Sequence, residues 1–159
     1  SSTKAIHLSV MDDSGRPILL RKISSTKPLA ADRLYEMVLA FATEVSKYYP
    51  SVVAVEGPIY IQNAKATISL AQVIGGVKIE LQRQGFYFLE VNNKEWKKAT
   101  VGKGNASKAD IKEWALKKFG LPPDTEQDFL DATCIAYHMF LLHGKGVSNG
   151  QRFMYFSIL

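Results

Sequence analysis

Apolar residues alternate inward and outward over residues 5–10, and a second apolar run covers 18–23. Asp12, Asp13, Ser14, Gly15 and Arg16 separate the two with turn chemistry, so the pattern predicts a β-hairpin. Over 29–49 the apolar positions Leu34, Met37, Val38, Phe41 and Val45 recur at three and four residues, which predicts an amphipathic helix entered after Pro28. Residues 51–55 (SVVAV) are β-branched without polar alternation, as expected of a strand buried on both faces, and the run ends at Glu56. Helical spacing returns over 64–83, broken by Gly75 and Gly76, which weaken the helix and leave room for another to pack closely. After the stop at Gly85 a second buried strand is predicted over 86–91, then a polar, lysine-rich loop over 92–107. Ser107 is placed to cap a helix over 108–119, which Gly120 and Pro122 end. A last helix starts near Thr125 and runs to about His143. The stretch 144–159 breaks that pattern with Gly144, Gly146 and the pair Asn149 and Gly150, then closes on a strand-like run, RFMYFSIL.

This order predicts an α/β fold with a mixed sheet, and 159 residues without repeats or an internal linker suit a single domain over 1–159. With 47% hydrophobic and 22% charged residues the chain has the composition of a globular protein, which excludes a disordered, collagenous or disulfide-stapled class. No run approaches 18 apolar residues and the first residues are polar, so neither a membrane-spanning helix nor a signal peptide is expected and the location read from this is cytoplasmic. The lone cysteine, Cys134, reads as a reduced, half-buried thiol.

Three carboxylates draw attention. Glu56 stands at the carboxyl end of a buried strand, the rim where open α/β sheets place ligands, although a strand-end acid is as often simply solvated. Asp128 and Asp131, three apart at a helix start, share one face with Cβ atoms roughly 5–6 Å apart. A competing role is capping, since Thr125 and Asp128 fit a capping box and acids suit a first turn. Acids with no cysteine or histidine cluster suit Mg²⁺ or Mn²⁺ better than Zn²⁺. His138 and His143 are poorly spaced for one face and His7 stands alone in a strand, so core or surface roles are expected of them.

The net charge of +5 is concentrated. Lys94, Lys97, Lys98, Lys103, Lys108, Lys112, Lys117 and Lys118 face only Glu95, Asp110 and Glu113 between them, an excess equal to that of the whole chain. A solvated helix face accounts for Lys112, Lys117 and Lys118. Lysines gathered in a loop without acids repel one another unless an anion pairs with them, which points to a phosphate backbone.

The runs VVAVEGPIYIQNAKATISLAQVIGGV, WKKATVGKGNASKADI and QDFLDATCIAYH, in this order, resemble the RuvC family of Holliday junction resolvases within the ribonuclease H-like superfamily, its bacteriophage members included. The resemblance implies a homodimeric nuclease that cuts four-way and related branched DNA in the cytoplasm, the host's if the chain is phage-encoded. It implies that Glu56, Asp128 and Asp131 bind two divalent ions (Mg²⁺ or Mn²⁺). Lys97 and Lys108 would meet the phosphate at the cut or its neighbours, and Tyr60 would either stack on an unstacked base or serve the core. From the charge pattern, Lys94, Lys98 and Lys103 are expected to hold neighbouring DNA backbone. Relatives open with an apolar strand leading into D-P-S-S-T, whose Asp is a fourth ligand. Here the numbering starts at Ser1-Ser2-Thr3-Lys4, and MYFSIL at the other end would make a good version of that strand. A reordered chain is therefore expected, one that binds branched DNA but cleaves it poorly, since Asp12 and Asp13 lie in the turn at the far end of the strand. Readings that stay open are a catalytically impaired junction-binding module and a related nuclease acting on other branched DNA or RNA hybrids.

Overall fold

The computed structural model describes residues 5–57, 64–144 and 152–158, without the side chains of Ala66 and of 156–158. The elements run β1 (Ile6–Met11), β2 (Pro17–Ile23), α1 (Ala30–Tyr48), β3 (Val52–Glu56), α2 (Ala64–Gln84), β4 (Phe88–Val91), α3 (Asn93–Thr100), α4 (Lys108–Phe119), α5 (Gln127–His143) and β5 (Phe153–Ile158). They build one five-stranded sheet in the order β2-β1-β5-β3-β4. β1 is antiparallel to β2 and β5, whereas β5, β3 and β4 are parallel, so the sheet is mixed as expected.

Side-chain alternation along the strands divides the interior in two. Ile6, Leu8, Val10, Val53, Val55 and Met154 meet α1 and α2 on one face through Met37, Phe41, Val45, Val73 and Val77. Met11, Val52, Ala54, Phe153 and Tyr155 meet α3, α4 and α5 on the other through Trp96, Ile111, Leu130 and Ile135. The result is three layers with helices on both sides of the sheet.

Four local expectations need correction. β1 is buried along its whole length instead of alternating, because it is an inner strand covered on both faces; His7 and Ser9 are therefore buried polar residues. The lysine-rich stretch is not all loop: residues 93–100 form α3, started by Asn92, whose side chain accepts from Lys94 N, and anchored by the buried Trp96. Thr125 caps nothing either. α5 begins one residue later, after Glu126 in extended conformation, while Thr125 Oγ1 donates to Pro122 O. Nor is the strand expected over 86–91 buried: β4 is an edge strand in which only Val91 is buried.

Several other expectations hold. Ser107 caps α4 in a reciprocal capping box with Asp110, and Gly120 ends that helix at φ 65°. The C-terminal run does form a strand, and it lies in the middle of the sheet between β1 and β3. Gly76 is where α2 meets α1: a Cβ there would stand 2.9 Å from Val38 Cγ2, while Gly75 faces open space.

Candidate active site

Glu56 is the last residue of β3, partly buried, and alternation puts it on the same face as Val52 and Ala54, toward α3 and α5. Across the sheet Val55 is opposite Phe156 of β5, and His7 of β1 is opposite Ser157. Glu56 and His7 therefore stand level at one end of the sheet with β5 between them, about 10 Å apart from strand spacing alone. α5 begins over this same rim.

Asp128 and Asp131 occupy the first turns of α5 on the face turned to the sheet, and with Thr125 engaged elsewhere neither carboxylate is used in capping. Burial pushes the Asp131 carboxyl up to about 6, Gln127 opposes this with a hydrogen bond from Nε2 to Oδ1 at 3.0 Å, and the charge of Asp128 raises it further. Lys97 and Lys108 pull in the other direction, so both act on this carboxylate across the gap between α3, α4 and α5. The structure thus brings together two acids and two lysines singled out in the sequence.

The remaining lysines spread outward. Lys94 and Lys98 are exposed on α3, and Lys103 lies in the turn that follows, where its charge bears on Asp110. That turn reverses at Gly102 (φ 96°), and a Cβ at Gly104 would stand 3.4 Å from Lys94 O, so the two glycines let the chain fold back tightly against the start of α3. Beside it an open cleft of about 660 Å³ runs from Gly57 at the end of β3 to residues 90–95. Tyr60 lies outside the described residues.

Does this set suit a divalent ion? Among the described residues no three His, Cys, Asp or Glu side chains are gathered closely enough to hold a metal ion as they stand. The chemistry of the donors fits nevertheless: they are carboxylates at one rim, and Asp131 is a partly buried acid whose carboxyl is raised to about 6 by desolvation and a like-charged neighbour, which a cation would relieve. Asp12 is no substitute, because its carboxylate is taken up by Ser14 and Arg16 backbone N–H groups in the hairpin turn at the opposite end of β1.

One residue of this rim is not the isolated histidine expected. His7 Nε2 lies 3.5 Å from Glu126 Oε2 and 3.7 Å from Asp128 Oδ2, and its ring meets Phe129 edge-on. No local pattern reveals this, because it follows from α5 packing against β1, which brings Glu126, Asp128 and Phe129 to a residue about 120 positions earlier in the chain. His138 is a core residue as expected, and Cys134 is fully rather than half-buried, its thiol pushed far up by desolvation.

The chain matches the family described as crossover junction endodeoxyribonuclease RuvC over residues 8–138. It is 29% identical over 117 residues to a protein of that description from Geobacter sp. (strain M21), covering 74% of this chain and 70% of the relative. With the counterpart from Hahella chejuensis it shares 31% over 114 residues, 72% of this chain and 66% of the relative. Among solved structures it resembles Thermus thermophilus RuvC in complex with Holliday junction substrate, with a TM-score of 0.73 at 18% identity over 87% of each chain. A second T. thermophilus RuvC structure gives a TM-score of 0.68 at 20% identity over 80% of this chain and 78% of that one. Both structural likenesses show the fold.

Proposed function

Because the chain belongs to the family of RuvC crossover junction endodeoxyribonucleases, we propose that it resolves Holliday junctions and related branched DNA by hydrolysing phosphodiesters at the rim formed by β3 and α5. Glu56, Asp128 and Asp131 hold the divalent metal that this nuclease family requires, which we assign as two Mg²⁺ or Mn²⁺ ions from the all-oxygen donor set. When bound, such ions lower the pKa of an attacking water and offset charge on the phosphate oxygens. The observation that carries the reading is Asp131, a partly buried carboxylate beside Asp128 with Lys97 and Lys108 both acting on it.

The side chains divide the work. The three acids place the reacting phosphate by holding its counter-ions. Lys97 and Lys108 attract that phosphate and stabilise the negative charge that grows on it. Lys94, Lys98 and Lys103 hold flanking backbone in one register, and Tyr60 offers a stacking face to an unpaired base. A homodimer in the cytoplasm, each copy a single domain, would present two such sites to the two strands of a symmetric junction. No described helix is long and apolar enough to cross a membrane.

The test is cleavage of a synthetic four-way junction in Mg²⁺ or Mn²⁺ with the native chain and Asp131→Asn. Metal-dependent cutting that Asp131→Asn abolishes while junction binding persists supports the proposal. Binding without cutting by the native chain in either metal would reduce it to a junction-binding module.

A further inference from the structure

His7 has 2% of its surface exposed, and neither ring nitrogen makes a hydrogen bond among the described residues. Buried polar groups are nearly always bonded, and an unmet one in a native core calls for a reason. Here the direction of the ring supplies it. Nε2 is aimed at the start of α5, between Asp128 Oδ2 and Glu126 Oε2, and the edge-to-face contact with Phe129 (centroids 4.9 Å apart, planes at 79°) fixes the ring in that direction. Glu126 is the more exposed of the two acids and is shared with Lys22 Nζ at 3.6 Å, so Asp128 is the carboxylate left for His7 to serve.

We propose that His7 is a positioning residue of the metal site: its Nε2–H donates to Asp128 Oδ2 and leaves the other carboxylate oxygen turned toward the ion. The inference rests on the assignment of Asp128 as a metal ligand. The separation of 3.7 Å is longer than a hydrogen bond, as distances at such sites commonly are before the ligand draws the groups together. Direct ligation by His7 is disfavoured, since a metal-bound imidazole almost always donates its other N–H to a partner and Nδ1 has none among the described residues. A carboxylate ligand held by an outer hydrogen bond is the arrangement in which removing the partner weakens the metal about 10- to 100-fold.

The experiment measures Mn²⁺ affinity by calorimetry and electron paramagnetic resonance, and stability by urea unfolding, on the native chain, His7→Phe, His7→Gln and Asp128→Asn. His7→Phe keeps a ring against Phe129 without a donor, whereas His7→Gln restores an N–H near the Nε2 position. Expected is a loss of Mn²⁺ affinity of tenfold or more in His7→Phe, recovery to within about threefold in His7→Gln, and a urea midpoint for His7→Phe at or above that of the native chain. A histidine that served only the core would show the reverse, lower stability with unchanged affinity, and that result overturns the proposal. Nitrogen coupling in the Mn²⁺ spectrum that disappears in His7→Phe would also overturn it, by making His7 a ligand. If His7→Phe fails to fold, His7→Leu against His7→Gln carries the same contrast. Unchanged Mn²⁺ binding in Asp128→Asn would instead refute the underlying assignment of the ligand.

Discussion

Gln127 reaches one turn along α5 to donate from Nε2 to Asp131 Oδ1 at 3.0 Å, and it does so at a carboxyl that burial already holds near 6. The folded state therefore binds the Asp131 proton more tightly than the unfolded chain does. Stability is highest below the unfolded value of about 3.9 and falls as pH rises through 6, by about 3 kcal/mol for a shift of roughly two units. In metal-free buffer Asp131→Asn, which mimics the protonated acid, is expected to be the more stable protein at pH 7.5 by up to that amount, with the difference vanishing by pH 4. Urea midpoints across pH check this. Added Mn²⁺ should stabilise the native chain and not the variant, and a native chain whose stability is flat between pH 4 and 7 would contradict the buried-acid account.

Lys97 and Lys108 act on the same carboxylate from different helices, and both are proposed to meet the phosphate. Replacing each by Ala is expected to make the dependence of junction affinity on salt shallower by about 0.9 per lysine, as follows when one phosphate fewer is neutralised. Cleavage should fall much further than binding, because these two lysines face the acids while Lys98 lies exposed on α3. Lys98→Ala is the control: a similar change in salt slope with cleavage retained. Affinity measured from 50 to 200 mM salt decides it, and an unchanged slope in Lys97→Ala with Lys108→Ala would remove both residues from the DNA interface.

The reach of the sequence is clear at particular residues. Ser107, Gly120 and the turn after Met11 carry their signals within four residues, so the start and end of α4 and the hairpin are legible from local chemistry. α3 is not, because its lysines and adjacent glycines read as loop. It exists because Asn92 caps it and Trp96 sinks into the core, and the second of these is a tertiary fact. The acids of the proposed site stand out by position, Glu56 at a strand end and Asp128 with Asp131 on one helical face. His7 is not, since its neighbourhood depends on the start of α5 packing over β1 from far along the chain. Local patterns reveal caps and faces; which faces meet is set by the sheet.

The paired glycines of α2 separate packing from propensity. Gly76 faces Val38 of α1 so closely that a Cβ would come within 2.9 Å of Cγ2, whereas Gly75 has nothing within 4 Å. Gly75→Ala is expected to stabilise the chain by about 0.5–1 kcal/mol through helix propensity alone. Gly76→Ala gains the same propensity but must displace Val38, and overpacking of this kind costs about 1–3 kcal/mol. Urea unfolding should thus move the two midpoints in opposite directions, and Val38→Ala in the Gly76→Ala background should recover part of the loss. Equal shifts for the two glycines would show that α1 yields easily where the helices meet.

Ser9 and Thr133 join β1 to α5 beneath the acids, their hydroxyl oxygens 3.1 Å apart and both residues fully buried. Thr133 donates its single hydroxyl proton to Phe129 O at 2.7 Å, so the proton between the two side chains belongs to Ser9. Thr133→Val keeps the shape, removes the acceptor and leaves the Ser9 hydroxyl buried and unmet, an expected cost of about 1–3 kcal/mol. Ser9→Ala leaves Thr133 bonded to Phe129 and should cost less, about 0.5–1.5 kcal/mol. Once Ser9 is Ala there is no stranded hydroxyl for Thr133→Val to expose. The double variant is therefore expected to cost about 1 kcal/mol less than the two single costs added together. Urea unfolding of the four proteins closes the cycle. Costs that add to within about 0.3–0.5 kcal/mol, the tolerance for independent sites, would mean that α5 is held over β1 by apolar packing without help from this pair.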